Sequence, residues 1–112
     1  MSVFDDLKKN SERKFVLEAQ QEFKAEARRN KYIAVWAAGL FEMDETEAEK
    51  YTLAVIVSDM EEAGDDDVFR KVKADFAEHG VEMSDLALRE KMNQFMTQAR
   101  EEIYDESQGE GQ

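Results

Sequence analysis

The chain has 112 residues, with 15 Lys+Arg against 27 Asp+Glu, and it contains neither Cys nor Pro. A formal net charge of −12 argues against a phosphate-backbone binder, whose affinity comes from Lys and Arg neutralising phosphates, and it repels anionic membrane surfaces. Without Cys there is no disulfide framework and no thiolate metal site, and no stretch reaches the roughly 18 apolar residues that span a bilayer. The opening MSVFDDLKKN has no apolar h-region of a signal peptide. The length suits one domain that buries roughly 65% of its unfolded surface, enough for a core without staples. The absence of Pro, together with the abundance of Ala, Glu, Lys, Met, Gln and Arg, predicts an all-α fold.

Residues 1–18 are mostly polar, with scattered Val3, Phe4, Leu7, Phe15, Val16 and Leu17, and their acids balance their bases. They lack a wide apolar face and are expected to form a flexible segment ahead of the folded domain. A first helix is predicted over residues 21–41, because Phe23, Ala27, Asn30, Ala34, Ala37 and Phe41 recur at steps of three and four. Ile33, Trp36 and Leu40 widen that stripe. Gly39 is expected to lie inside this helix, since Phe41 and Met43 continue the apolar pattern.

Asp44 followed by Glu47 has the form of a capping box. It predicts a second helix over 45–62, whose apolar centre, Tyr51 to Val57, implies the most buried helix of the bundle. Gly64 marks a break, and Asp65-Asp66-Asp67 place carboxylates at the positive end of a third helix. Phe69, Val72, Phe76 and His79 form its face over 66–79, and Gly80 stops it. Ser84 is the next N-cap, with Met83 and Leu88 in the positions of a hydrophobic staple. Leu88, Met92, Phe95, Ala99 and Ile103 form the stripe of a fourth helix over 85–104. Asp105 to Gln112, with two Gly, is expected to be disordered. The predicted division is a flexible segment 1–18, a four-helix domain 19–106 and a tail 107–112. Short connections make neighbouring helices antiparallel, hence a four-helix bundle.

Catalytic signals are sparse. One His and no Cys exclude Cys nucleophiles and the paired Glu-x-x-His units of a di-iron bundle. The sequence has no Gly-x-Ser-x-Gly elbow and no Gly-rich phosphate loop. His79 beside Gly80 reads as a helix C-terminal cap. The consecutive acids at 65–67 lack the alternate spacing of a calcium loop. Arg28, Arg29 and Lys31 form the sharpest basic cluster. They read either as a solvated helix face pairing with acids or as an anion or nucleotide dock, since Arg offers a bidentate fork. The expectation is a protein that is not an enzyme and holds no cofactor or metal.

Several strings together carry a resemblance. They are Phe4-Asp5-Asp6, Phe23-Lys24-Ala25, Ala27-Arg28-Arg29-Asn30-Lys31, Trp36-Ala37-Ala38 and, above all, Glu61 through Val72 with Asp75-Phe76. Over roughly residues 1–106 the sequence resembles the zeta-subunit family of alphaproteobacterial F-type ATP synthases. The departures are local: Gly39 and Phe41-Glu42-Met43 stand where the family leads one to expect a more regular helix end with a Gly near position 42.

The resemblance implies an inhibitor that binds the catalytic head and rotor stalk of the synthase and blocks ATP hydrolysis. It implies a cytoplasmic protein, peripheral to the inner membrane through the synthase. It also implies that the N-terminal segment is inhibitory, comparable in role to the mitochondrial inhibitor protein, and that it enters a crevice between catalytic subunits and the central rotor stalk, becoming helical there. Read as a helix, that segment puts Phe4, Leu7 and Lys8 on one face. Phe4 and Leu7 are the expected apolar anchors, Lys8, Lys9, Arg13 and Lys14 the expected contacts to acidic surface, and Phe15 the expected hinge. A nucleotide sensor acting through Arg28, Arg29 and Lys31, with ATP or ADP as ligand, is the alternative.

Overall fold

The computed structural model of the protein describes residues 17–59 and 65–110, with the side chains of Gly109 and Glu110 left out. The expectations placed on Phe4, Leu7, Lys8, Lys9, Arg13, Lys14 and Phe15 lie outside the described residues, as do those on 60–64 and on the last two positions. The described residues form four helices and no strand: α1 Ala19–Leu40, α2 Glu45–Ser58, α3 Asp66–Glu78 and α4 Asp85–Glu110.

Side chains satisfy early N–H groups at the starts of α1, α2 and α4. The Glu18 N–H donates to Gln21 Oε1 at 3.0 Å, which starts α1 two residues before the predicted position. Asp44 Oδ1 accepts from the Glu47 N–H at 2.8 Å while Glu47 Oε1 accepts from the Asp44 N–H at 3.2 Å, the expected capping box. Ser84 Oγ accepts from the Ala87 N–H at 3.1 Å, and Met83 and Leu88 both pack in the core, as the staple requires.

Two helices end in the same six-residue closure. After α3, the Val81 N–H donates to Phe76 O at 2.9 Å and the Gly80 N–H to Ala77 O at 3.2 Å. Gly80 supplies the left-handed residue, at φ 69°. After α1, the Met43 N–H donates to Ala38 O at 3.0 Å and the Glu42 N–H to Gly39 O at 3.2 Å. The helix therefore runs through Gly39, as expected. The left-handed position falls on Glu42, at φ 58°, which is where the family resemblance leads one to expect Gly.

The aromatic side chains join the elements at one end. The Phe76 ring of α3 lies 5.5 Å from Trp36 and 5.0 Å from Phe41. Phe41 in turn meets Tyr51 of α2 at 5.7 Å, and Trp36 meets Phe95 of α4 at 6.3 Å. His79 caps its helix as expected, with Nδ1 2.9 Å from Asp75 O, and its ring stacks on Phe41 at 4.0 Å. Tilted and edge-on pairs of this kind add about 0.5–1.5 kcal/mol each beyond burial.

Three expectations are corrected. The predicted α1 stripe began at Phe23, but that side chain is 64% exposed, while Ala25 and Arg29 are buried. The α1 face turns towards α4 in its first half, because α2 ends before reaching Phe23. Helix α2 is not buried on all sides: only Tyr51 and Val55 are buried, whereas Leu53 and Val57 face outward. It packs on α1 and α3 and does not meet α4. The tail is not disordered from Asp105, since α4 continues to Glu110. Bonds from α1 to Glu106 and Ser107 reward the extra turns and offset the entropy of ordering them.

The left-handed Glu42 costs about 1–2 kcal/mol, and Gly at any site costs about 0.5–1 kcal/mol of chain entropy. Glu42→Gly should therefore raise stability by about 0.5–1 kcal/mol in urea unfolding. Gly80→Ala, which imposes the left-handed penalty afresh, should lower it by about 1 kcal/mol.

Candidate partner-binding surface

The N-terminal segment joins the domain at Leu17, which packs against the buried cluster Ala25, Met96, Ala99 and Ile103 between α1 and α4. A polar clamp runs along both helices from there. Gln21 Nε2 donates to Ser107 Oγ at 2.6 Å, and Arg100 Nε donates to Glu22 Oε1 at 2.9 Å. Arg28 grips Glu106 with two N–H groups, at 2.5 and 3.1 Å, and reaches Glu102 at 3.3 Å. Tyr32 donates its hydroxyl to Glu102 at 2.5 Å. Each link spans more than 65 residues of sequence, so no spacing rule could have revealed it.

Arg29, the next residue, points elsewhere. Its guanidinium is buried, donating to Asn30 Oδ1 at 2.9 Å and lying 3.5 Å from Asp59 Oδ1. Asn30, also buried, donates from Nδ2 to Asp59 Oδ2 at 2.9 Å. A polar network thus surrounds Asn30, and it ties α1 to the end of α2. A buried Arg is tolerable because Asp59 neutralises it and the remaining donors find Asn30 and the Met96 sulfur.

Arg28, Arg29 and Lys31 therefore do not converge on a common site. Arg28 joins α4, Arg29 joins the α2 end, and Lys31 is exposed. The two guanidinia are already held by carboxylates within the domain, Arg28 near the surface and Arg29 out of water. The acids at 65–67 likewise serve the fold. Arg89 of α4 bonds Asp65 at 3.0 Å and Asp66 at 2.9 Å while stacking on Phe69, and Asp67 pairs with Arg70. Among the described residues no cluster of His, Asp or Glu could hold a metal ion.

Beside the Asn30 network lies a cleft of about 80 Å³ lined by Phe23, Glu26, Ala27, Asn30, Ile56 and Asp59. The Glu26 carboxyl is pushed up from its usual range, first by desolvation and then by the nearby Asp59 charge. Sequence reading missed this cleft because its walls are helical core-face residues by pattern. The available signal was Phe23, a large apolar residue at the very start of a helix whose neighbour helix stops short of it.

The clamp carboxylates titrate the other way. Glu102 is held below the usual range mainly by the Tyr32 hydroxyl, and Glu106 mainly by Arg28. A carboxylate with a lowered folded pKa adds stability above its unfolded value, near 4.5, and that stability is lost as pH falls through the folded value. Wild-type protein should lose more of its denaturant resistance than Glu102→Gln between pH 6 and pH 3, measured as the shift in urea midpoint. Equal losses would show that the clamp does not couple to folding. Glu26 has the opposite sign, so Glu26→Gln should raise the melting temperature at pH 7 and have little effect once pH is low enough to protonate Glu26.

No curated protein matches this sequence. Among families, the sequence matches ATPase inhibitor subunit zeta over residues 1–102. The match takes in the N-terminal segment, the Arg28 and Arg29 stretch of α1, all of α2 and α3 and most of α4. The chain belongs to the ATPase inhibitor subunit zeta family.

Proposed function

We propose that the protein restrains ATP hydrolysis by an F-type ATP synthase by inserting residues 1–18 at a catalytic interface. The four-helix domain remains outside and holds the base of that segment. The observation that supports this reading most is the extent of the family match, which begins at residue 1 and so includes the segment outside the helical domain. A second support is mechanical. Leu17 is packed and the first turns of α1 are clamped to α4, so force on the segment is delivered to a rigid two-helix unit rather than to a frayed end.

In this reading Phe4 and Leu7 are the apolar anchors, Lys8, Lys9, Arg13 and Lys14 meet acidic surface, and Phe15 lies at the hinge. The composition fits such a role. Four acids and four bases in residues 1–18 leave the segment neutral, so entering a protein crevice does not bring a large net charge out of water. Ordering on insertion costs entropy, which lowers affinity but lets a short segment fill a narrow site. The partner is the catalytic head with its rotor stalk, and the protein resides in the cytoplasm at the inner membrane through it.

The test is ATP hydrolysis by the cognate synthase head, titrated with this protein. Full-length protein should inhibit, and a variant lacking residues 1–14 should not, while its thermal unfolding stays within a degree or two of wild type. Retained inhibition by the truncated protein would overturn the insertion reading. Phe4→Ala with Leu7→Ala should weaken inhibition roughly 100-fold or more, since two buried apolar anchors contribute about 1.5–3 kcal/mol each.

A further inference from the structure

Helix α2 carries an apolar face that nothing among the described residues covers. Leu53 and Val57, one turn apart, are 64% and 57% exposed. Phe23 of α1 is exposed as well, and it walls the cleft together with Ala27 and Ile56. Helix α4 leaves this surface open, because it does not meet α2. Apolar side chains grouped in this way, with a polar border, mark a place of protein association.

The charge of the border selects the occupant. Both charged residues lining the cleft are acids, Glu26 and Asp59. Asp59 is taken up by Arg29 and Asn30, whereas Glu26 has no hydrogen-bond or ion-pair partner among the described residues. Its carboxyl, partly desolvated and facing a second acid, is pushed up, as befits a carboxylate that lacks a counter-cation. A Lys or Arg side chain answers each part of this cleft. Its apolar stem lies along Ala27 and Ile56, its charged head reaches Glu26, and Phe23 adds an aromatic wall beside the cation. An anionic group is repelled by the same acids. A second copy brings another net charge of −12 and is disfavoured for that reason. The surface is built from helix faces with no strand edge, so recognition falls to side chains, as when an amphipathic helix lies in a groove.

We propose that the groove between α1 and α2, bordered by Phe23, Ile56, Leu53 and Val57, receives a basic amphipathic helix of the synthase, whose apolar face covers Leu53 and Val57 and whose Lys or Arg enters the cleft to pair with Glu26. This contact belongs to the helical domain itself and is separate from the insertion of the N-terminal segment; its assignment to the synthase rests on the reading above. The groove begins little more than one turn into α1, close to Leu17, where the N-terminal segment joins the domain. Two linked contacts that can be engaged together bind far more tightly than either alone. The groove thereby keeps the domain on the synthase and raises the local concentration of the inhibitory segment.

The test uses the full-length protein and the cognate synthase head with its stalk. A photoreactive benzoylphenylalanine in place of Leu53 or Val57 should crosslink to a synthase helix that bears Lys or Arg. The same probe in place of Leu86, 70% exposed at the start of α4, should not. Leu53→Ser with Val57→Ser should weaken binding to the head about 10-fold or more, with an unchanged circular dichroism melt. Glu26→Gln should weaken it about 3-fold to 10-fold, less so at high salt, and Glu26→Asp should weaken it less. Since Glu26→Gln is also expected to raise the melting temperature, its loss of binding is separable from damage to the fold. Crosslinks formed only between copies of this chain would overturn the proposal, as would undiminished binding by both variants. Crosslinks at 53 and 57 without inhibition of hydrolysis would uphold the docking and overturn the insertion reading. Inhibition with no crosslink and no loss of affinity would overturn the docking alone.

Discussion

Helix α1 has to be covered on two sides at once, and the rest of the domain follows from that. Its Ala34, Ala37 and Ala38 are buried, and small residues let partner helices approach closely. Helix α4 takes one side along most of its length, and α2 with α3 takes the other towards its C-terminal end. Among the described residues α2 and α4 each pack on α1 and α3 but not on one another. The outward face of α2 and the first turns of α1 are consequently left with apolar residues that the domain does not bury.

The polar groups reinforce the same layout. The Arg28, Glu102, Glu106 and Tyr32 network and the Arg29, Asn30 and Asp59 network start from adjacent residues of α1 and run to different partners. Adjacent helical residues point about 100° apart, so a pair of consecutive arginines naturally serves two interfaces. The exposed clamp pairs contribute modestly in water, while the Arg29 pair, out of water, is costly to break from one side. Stability is thus distributed between an aromatic end, where Phe76 meets Trp36 and Phe41, and a polar end nearest the N-terminal segment.

That polarity bears on function. Under the proposed insertion, residues 1–18 need a firm base on the helical domain. Leu17 and the Gln21–Ser107 and Glu22–Arg100 contacts supply the base. The charge pattern supplies the contrast: the second half of the chain carries most of the −12, while residues 1–18 are neutral. The acidic charge is thus concentrated away from residues 1–18.

The sequence by itself determined the all-α class, the N-caps at Asp44 and Ser84, the stop at Gly80 and the core positions Val72, Phe76, Leu88, Met92, Ala99 and Ile103. These depend on neighbours within one or two turns, where spacing translates directly into contact. The family, too, was legible, because it rests on strings of adjacent residues. Tertiary structure decided what local pattern cannot carry: which of several apolar faces finds a partner. Leu53 and Val57 look like core and are exposed, Phe23 looks like the head of a core stripe and lines a cleft, and Asp105 to Glu110 look like a tail and are helical. In each case the outcome depends on whether another helix extends far enough to lie alongside, and that is set by helix lengths and packing sides across the whole domain.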